Sequence, residues 1–249
     1  MINNIYIYLE MEYNMQFKTR VDGYLYATSK YETVMANENM TAVNILNPQN
    51  NDKILHIASV GVNIKKYIPS NVRIELVEVE QNEEFAKAGN VDNINMTNIP
   101  YKDNTFDKVI VIATFHHLNN MERNIIYKEI HRVLKTSGTF IMADVMKNSQ
   151  QDHFLNEFVN MYNPNGHNGQ FFDSSDLELF QKSGFITEIK TMEYTWDFNS
   201  IEELNDFCYH FFNLKKLNQS DIYEEIQKYL TINQTLQWNW KLLYFISIK

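Results

Sequence analysis

Four short apolar runs recur between residues 53 and 145: KILHI (53–57), RIELVEVE (73–80), KVIVIA (108–113) and TFIMADV (139–145). The stretches between them, about 62–68, 83–89 and 121–135, have helical spacing. Strand-like runs of about five to eight residues alternating with helices predict parallel βαβ units, because right-handed crossovers lay helices on both faces of a sheet. Upstream, apolar residues three and four apart over 24–46 predict a helix closed by Asn47 and Pro48. Residues 1–20 show no firm period and read as an arm or a first short element.

After residue 145 the rhythm changes. Helices are expected over 151–162 and 175–183, flanking the loop NPNGHNGQ (163–170), and a strand over 185–198. A helical insertion follows at about 200–230, amphipathic through Leu204, Phe207, Phe211 and Leu214. A strand rich in aromatic and branched residues, WKLLYFISIK (240–249), closes the chain. No repeat, linker or low-complexity tract interrupts the 249 residues, so one α/β domain with helical additions is the economical account.

Composition narrows what this domain can do. No apolar run approaches the ~20 residues of a membrane span, and the start MINNIYIYLEMEYN lacks the basic and apolar regions of a secretory leader. One cysteine, Cys208, excludes an internal disulfide and a multi-cysteine zinc site, and points to a cytoplasmic setting. With 22 Lys plus Arg against 31 Asp plus Glu and no basic run, nucleic acid is not an expected partner, and neither is a membrane. Seven glycines in the chain leave few candidates for a loop that must approach a ligand closely.

In an open parallel sheet, ligands bind beyond the carboxyl ends of the strands. Glu80 ends the second run with Glu78 on the same face, either as a carboxylate for a ribose diol or as a solvated acidic strand end. The third run opens into Thr114, Phe115, His116 and His117. Side chains of neighbouring residues diverge, so one of the two histidines is expected to face a cleft, as base or polar anchor near neutral pH. No metal site is expected, because no third ligand stands at a characteristic spacing from the pair.

The segment 53–145, through NIPYKDNTFDKVIVIATFHHLNN and EIHRVLKTSGTFIMADV, resembles the class I S-adenosylmethionine-dependent methyltransferases of the small-molecule type. HNGQFFDSSDLELFQKSGF (167–185) is similar to the family's helix before the sixth strand, and WKLLYFISIK to its last strand. The resemblance implies a doubly wound, mostly parallel seven-stranded sheet with an antiparallel last strand. It also implies an N-terminal helical lid (1–48), a cofactor-binding half (49–150) and a C-terminal half (151–249) with its insertion at about 200–235. The implied cofactor is S-adenosyl-L-methionine and the implied partner a small-molecule acceptor.

Carried over by position, Glu80 falls on the residue that binds the ribose and Gln81 on the one that covers the adenine. Asn95 falls where an Asp commonly accepts from the adenine amino group, with Met96 beside it. Ala113 and Thr114 lie under the methionine part. His116 and His117 are the first candidates for a catalytic base. Tyr24 and Tyr31 of the lid and His167 of its glycine-flanked loop are the candidates on the acceptor side. The insertion's Phe207, Tyr209, His210, Phe211 and Phe212 either roof the acceptor pocket or form core beneath it.

The first loop departs from the family pattern. His56 stands at the acidic position, and Ala58, Val60 and Val62 stand where glycines are expected, beside Ser59 and a displaced Gly61. Gly89 and Gly23 read as lying away from the site. The leading expectation is a methyltransferase acting on a small molecule. The alternatives are a non-catalytic binding module of the same fold and a transferase of an aminopropyl or carboxymethyl group.

Overall fold

The apolar runs become strands of one sheet in a computed structural model that describes residues 20–249; expectations for residues 1–19 lie outside the described residues. Strands β1 (Lys53–Ile57), β2 (Glu75–Glu80), β3 (Asp92–Asn93), β4 (Phe106–Ile112) and β5 (Leu134–Asp144) pair in parallel. β6 (Ile186–Asp197) and β7 (Gln237–Ile248) complete the order β3-β2-β1-β4-β5-β7-β6, with β7 antiparallel to both its neighbours. The chain winds outward from β1 to β3 and then crosses to β4. The β1/β4 boundary is therefore the switch point beyond which a crevice opens.

Side-chain alternation along β4 divides the core. Ile110 and Ile112 join one buried cluster, while Val109 and Val111 join the cluster on the opposite face. Both faces are covered, which is why the run reads as continuously apolar rather than alternating.

Among the described residues two helices precede β1, α1 (Val21–Lys30) and α2 (Ala36–Leu46), where the periodicity of 24–46 predicts one. The turn between them carries Val34 (0% exposed) and Met35 into the core. After β1 a short 3-10 turn (Ile64–Tyr67) stands in place of the expected helix, ended by Ile68 before Pro69, whose ring disfavours α geometry in its predecessor. α3 (Glu83–Gly89) starts on Asn82, whose side chain accepts from Phe85 N at 3.0 Å. α4 (Asn120–Val133) starts on a reciprocal Asn119/Glu122 capping box.

In the second half, α5 (Gln150–His153) runs into a π-helical stretch (Phe154–Val159) and a last turn, α6 (Asn160–Tyr162). α7 (Leu177–Lys182) leads to β6, and α8 (Ile201–Phe211) and α9 (Ile222–Ile226) form the insertion before β7. α1 crosses α8 closely at Gly23, where a Cβ would lie 3.0 Å from the His210 carbonyl oxygen. Among the described residues no helix is long and apolar enough to cross a membrane.

Candidate functional site

The loop after β1 takes a glycine-like path with one glycine. Ala58 (φ 55°) and Gly61 (φ 84°) both adopt left-handed backbone, and Ala113 (φ 49°) does the same at the end of β4. The valine of this loop is accommodated from outside it, since a Cβ on Gly89 would fall 2.5 Å from Val60 Cγ2. Gly89, expected away from the site, is thus the surface on which the loop rests. At Gly61 the neighbour is the Tyr24 ring of the lid, 2.1 Å from a hypothetical Cβ. Ser59 is buried, and its hydroxyl has no partner among the described residues.

Glu80 ends β2 beside this loop, buried, with Oε1 accepting from the backbone N–H groups of Gln81 (2.9 Å) and Asn82 (3.3 Å). Burial lifts its carboxyl to about 7, against the lowering pull of those two N–H groups. His56 is buried within β1, its Nδ1 3.7 Å from Glu78 Oε1.

The turn Phe115–His117 follows β4 and brings His116 and His117 side by side, ring centroids 4.1 Å apart. Both line the same cavity, contrary to the expectation that one of them would turn away. A 3-10 turn advances about 120° per residue, so neighbours diverge less than along a strand. His116 is fixed twice by buried Asp144 at the end of β5: its backbone N–H donates to Oδ2 (3.0 Å) and its Nδ1 lies 2.8 Å from Oδ1.

His167, about fifty residues further along the chain, joins them with centroids 5.3 and 5.2 Å from His116 and His117. Its Nδ1 lies 3.2 Å from Asn156 Oδ1, which also accepts from Gly169 N at 2.7 Å. Gln170 N donates to His116 O at 2.7 Å, and the buried Arg123 bridges the Phe115 and Gln170 carbonyls, so the two histidine-bearing segments are tied together. Burial pushes the ring pKa of His117 and of His167 down, helped by the neighbouring His116, so both rings are neutral at pH 7.

These elements surround one cavity of about 130 Å³. Ala58, Val60, Glu80, Asn82, Ala113 and Thr114 line it. So do Arg20, the three histidines, Glu38, Trp196 and Trp240, with Tyr24, Phe211 and Phe212 also at its wall. Of the residues singled out from sequence, Ala58, Glu80, Ala113, Thr114, His116, His117, Tyr24 and His167 therefore meet at one place. Ser59 and Gly61 face a second depression on the far side of the loop.

Gln81, Asn95, Met96 and Tyr31 do not line the cavity. Asn95 is exposed and accepts from Thr97 N and Oγ1 (2.8 and 2.7 Å), while Met96 is core. Tyr31 donates instead to Asp206 of α8, which also takes Tyr26 Oη (2.9 Å) and Lys30 Nζ (3.0 Å), clasping lid to insertion. Phe207 belongs to the core and packs against Trp196.

Arg20, Glu38 and Asn82 are polar wall residues that sequence reasoning missed. Glu38 is 5% exposed and accepts from Trp196 Nε1 at 3.1 Å. Burial raises its carboxyl to about 7, against the lowering effect of that indole N–H. Its signal was a carboxylate on the apolar stripe of α2, one helical turn from both Met35 and Ala42.

Residues 56–142 match the sequence profile of a family described as a methyltransferase domain. The chain is 34% identical over 76 residues to the sterol 4-C-methyltransferase of Caenorhabditis elegans, a match covering 28% of this chain and 22% of that protein. The chain thus aligns with less than a quarter of that relative's length. A solved S-adenosylmethionine-dependent methyltransferase from Thermotoga maritima superposes with TM-score 0.57 at 18% identity, over 94% of this chain and 99% of that one. Phosphoethanolamine N-methyltransferase 2 of Haemonchus contortus, solved with phosphomonomethylethanolamine and S-adenosylhomocysteine, superposes with TM-score 0.59 at 14% identity, over 95% of this chain and 60% of that one.

Proposed function

From the premise that residues 56–142 are a methyltransferase domain of the class I, S-adenosylmethionine-dependent family, we propose that this chain binds that cofactor and methylates a small molecule. The observation that carries the reading is convergence. The buried carboxyl of Glu80, the left-handed backbone at Ala58 and Ala113, and a cluster of imidazoles all border one cavity at the switch point of the sheet.

The residues present fit the cofactor. Glu80 is held at the cavity wall by backbone N–H groups that engage Oε1, and its carboxyl is of the kind that takes hydrogen bonds from a ribose diol. The backbone at Ala58 and Ala113 follows the path that lets a ligand approach closely, although each position carries a methyl group. Asn82 lines the same cavity. When bound, S-adenosylmethionine supplies a methyl group on a sulfonium sulfur, electrophilic enough for an acceptor's lone pair to take it while the sulfur leaves as a thioether.

The chain's own part is alignment and exclusion of water. Tyr24, half-buried against the rings of Phe85 (5.4 Å) and Phe211 (4.8 Å), closes the cavity from the lid. Trp196, Trp240 and Phe212 give the acceptor an aromatic, mostly apolar wall. The pairing of Nδ1 with Asp144 leaves His116 Nε2 to take a hydrogen bond or a proton from the acceptor's heteroatom, and the Asp144 carboxylate then stabilises the imidazolium. His117 and His167 extend this polar end.

Calorimetric titration of the full chain with S-adenosylmethionine and S-adenosylhomocysteine tests the reading. Binding is expected, with affinity lowered about 10- to 100-fold in Glu80→Ala, the effect of losing hydrogen bonds to a charged group. No heat and no shift of the melting midpoint at millimolar cofactor would overturn it.

A further inference from the structure

Three imidazoles in one wall are more than a single base requires. His116, His117 and His167 each offer one ring nitrogen, and these three nitrogens lie within 4.8 Å of one another. Two of the rings are also oriented from behind. His116 Nδ1 meets Asp144 Oδ1 at 2.8 Å, and His167 Nδ1 meets Asn156 Oδ1 at 3.2 Å, so in both the other nitrogen, Nε2, is the one left for a ligand. Carboxylate or amide oxygens behind metal-ligating histidines fix the tautomer and the aim of the ring in the same manner.

We propose that His116, His117 and His167 form a binding site for one divalent transition-metal ion, zinc first among them. The donor set is all imidazole, which suits zinc, copper, nickel and iron(II) and excludes calcium and magnesium, whose ligands are oxygens. Three histidines with a fourth position left open are the composition of a zinc site that acts on a bound molecule rather than one that only staples a fold. Tetrahedral ligands at about 2.0–2.1 Å from zinc stand about 3.4 Å apart, so the nitrogens need to draw together by up to about 1.4 Å.

The surroundings are arranged for that closure. Gly169 lets its loop lie against the cluster, since a Cβ there would fall 3.1 Å from His116 Cδ2. The His116 to Gln170 backbone hydrogen bond and Arg123 hold the two segments in register. The Asp144 carboxylate, buried behind His116, supplies negative charge next to the ion. All three rings line the cavity, so the ion's open position faces the space assigned to the acceptor. A heteroatom of the acceptor bound there would be polarised by the ion in place of a hydrogen bond to His116 Nε2. That role rests on the methyl-transfer reading; binding of the ion does not.

The test uses the full chain, stripped with chelator and titrated with zinc and with cobalt(II). One equivalent of zinc is expected to bind, to raise the melting midpoint, and to be replaceable by cobalt with visible ligand-field bands. His167→Ala should abolish the zinc-dependent shift, and Asn156→Ala should weaken zinc about 10- to 100-fold. Circular dichroism reports whether His116→Ala remains folded; His167→Ala and Asn156→Ala carry the conclusion if it does not. No bound equivalent at micromolar free zinc, or a shift of equal size in His167→Ala, would overturn the proposal. Cofactor titration of the chelated protein is read separately: cofactor binding without zinc binding removes the metal site and leaves methyl transfer standing, and zinc binding without cofactor binding does the reverse.

Discussion

Val60 and Gly89 share one space: the valine side chain of the first loop occupies the volume that a Cβ on residue 89 would need, 2.5 Å from Val60 Cγ2. Gly89→Ala therefore forces the loop away from α3. Overpacking of this kind costs about 1–3 kcal/mol, and Val60→Ala in the same chain should recover most of it. Urea unfolding of the two single variants and the double variant measures the coupling. Additive effects would show that the two residues do not compete.

Ala58 sits at φ 55°, where an L residue is strained and a glycine is not. Ala58→Gly should change stability by less than about 1 kcal/mol, because relief of strain is offset by the entropy of a freer unfolded chain. Ala58→Val should destabilise by about 2 kcal/mol, since a branched side chain resists left-handed backbone. Equal melting curves for the glycine and valine variants would contradict the strain assigned here.

Glu38 governs a pH dependence. Its folded carboxyl titrates at about 7 against an ordinary 4.5, so the folded state holds the proton more tightly than the unfolded state does. The stabilising contribution is fully present below pH 4.5 and is lost as pH rises to about 7, a difference on the order of 3 kcal/mol. Glu38→Gln keeps a neutral side chain beside Trp196 and should flatten this part of the stability curve. Glu80, also raised to about 7 by burial, shifts stability in the same direction, so Glu38→Gln/Glu80→Gln should be flatter still. Denaturant midpoints from pH 4.5 to 8 decide it, and a wild-type slope that survives in the double variant would refute the assignment.

The lid is fastened at Asp206, which receives Tyr31 Oη at 2.5 Å, Tyr26 Oη at 2.9 Å and Lys30 Nζ at 3.0 Å. Asp206→Asn keeps the shape and removes the charge. Amide hydrogen exchange of α1 should accelerate in this variant, and the difference from wild type should shrink as salt screens the ion pair. Unchanged exchange in α1 would mean that packing alone, at Gly23 against His210, holds the lid.

Much of the sheet was legible because four apolar runs of strand length alternate with helical spacing. Less legible was the third strand, only Asp92–Asn93, too short to carry a periodicity. The turn over residues 31–35 that splits the expected helix carries no glycine or proline to announce it. Glu80 could be found from its place at a strand end. Glu38 could have been found only by asking why a helix puts a carboxylate on its apolar stripe. The pairing of His167 with His116 and His117 was invisible, since a hydrogen bond between Gln170 and His116 creates it across some fifty residues of sequence. The first loop shows the limit most plainly. Its missing glycines argued against a ligand loop, but left-handed alanine and a glycine on the facing helix supply conformation and room by other means.

The π-helical stretch Phe154–Val159 sets an angular phase. A π turn carries more residues than the 3.6 of an α turn, so everything after it is rotated relative to an uninterrupted helix. Asn156 within the stretch holds His167 Nδ1 and both backbone groups of Gly169, and Asn160 just after it accepts from His167 N at 2.8 Å. The aim of a cavity imidazole is thereby indexed to the winding of a helix in the manner of a vernier. Shortening that helix by one residue would turn the second asparagine by about 100° relative to the first, changing where His167 points without altering any residue that lines the cavity.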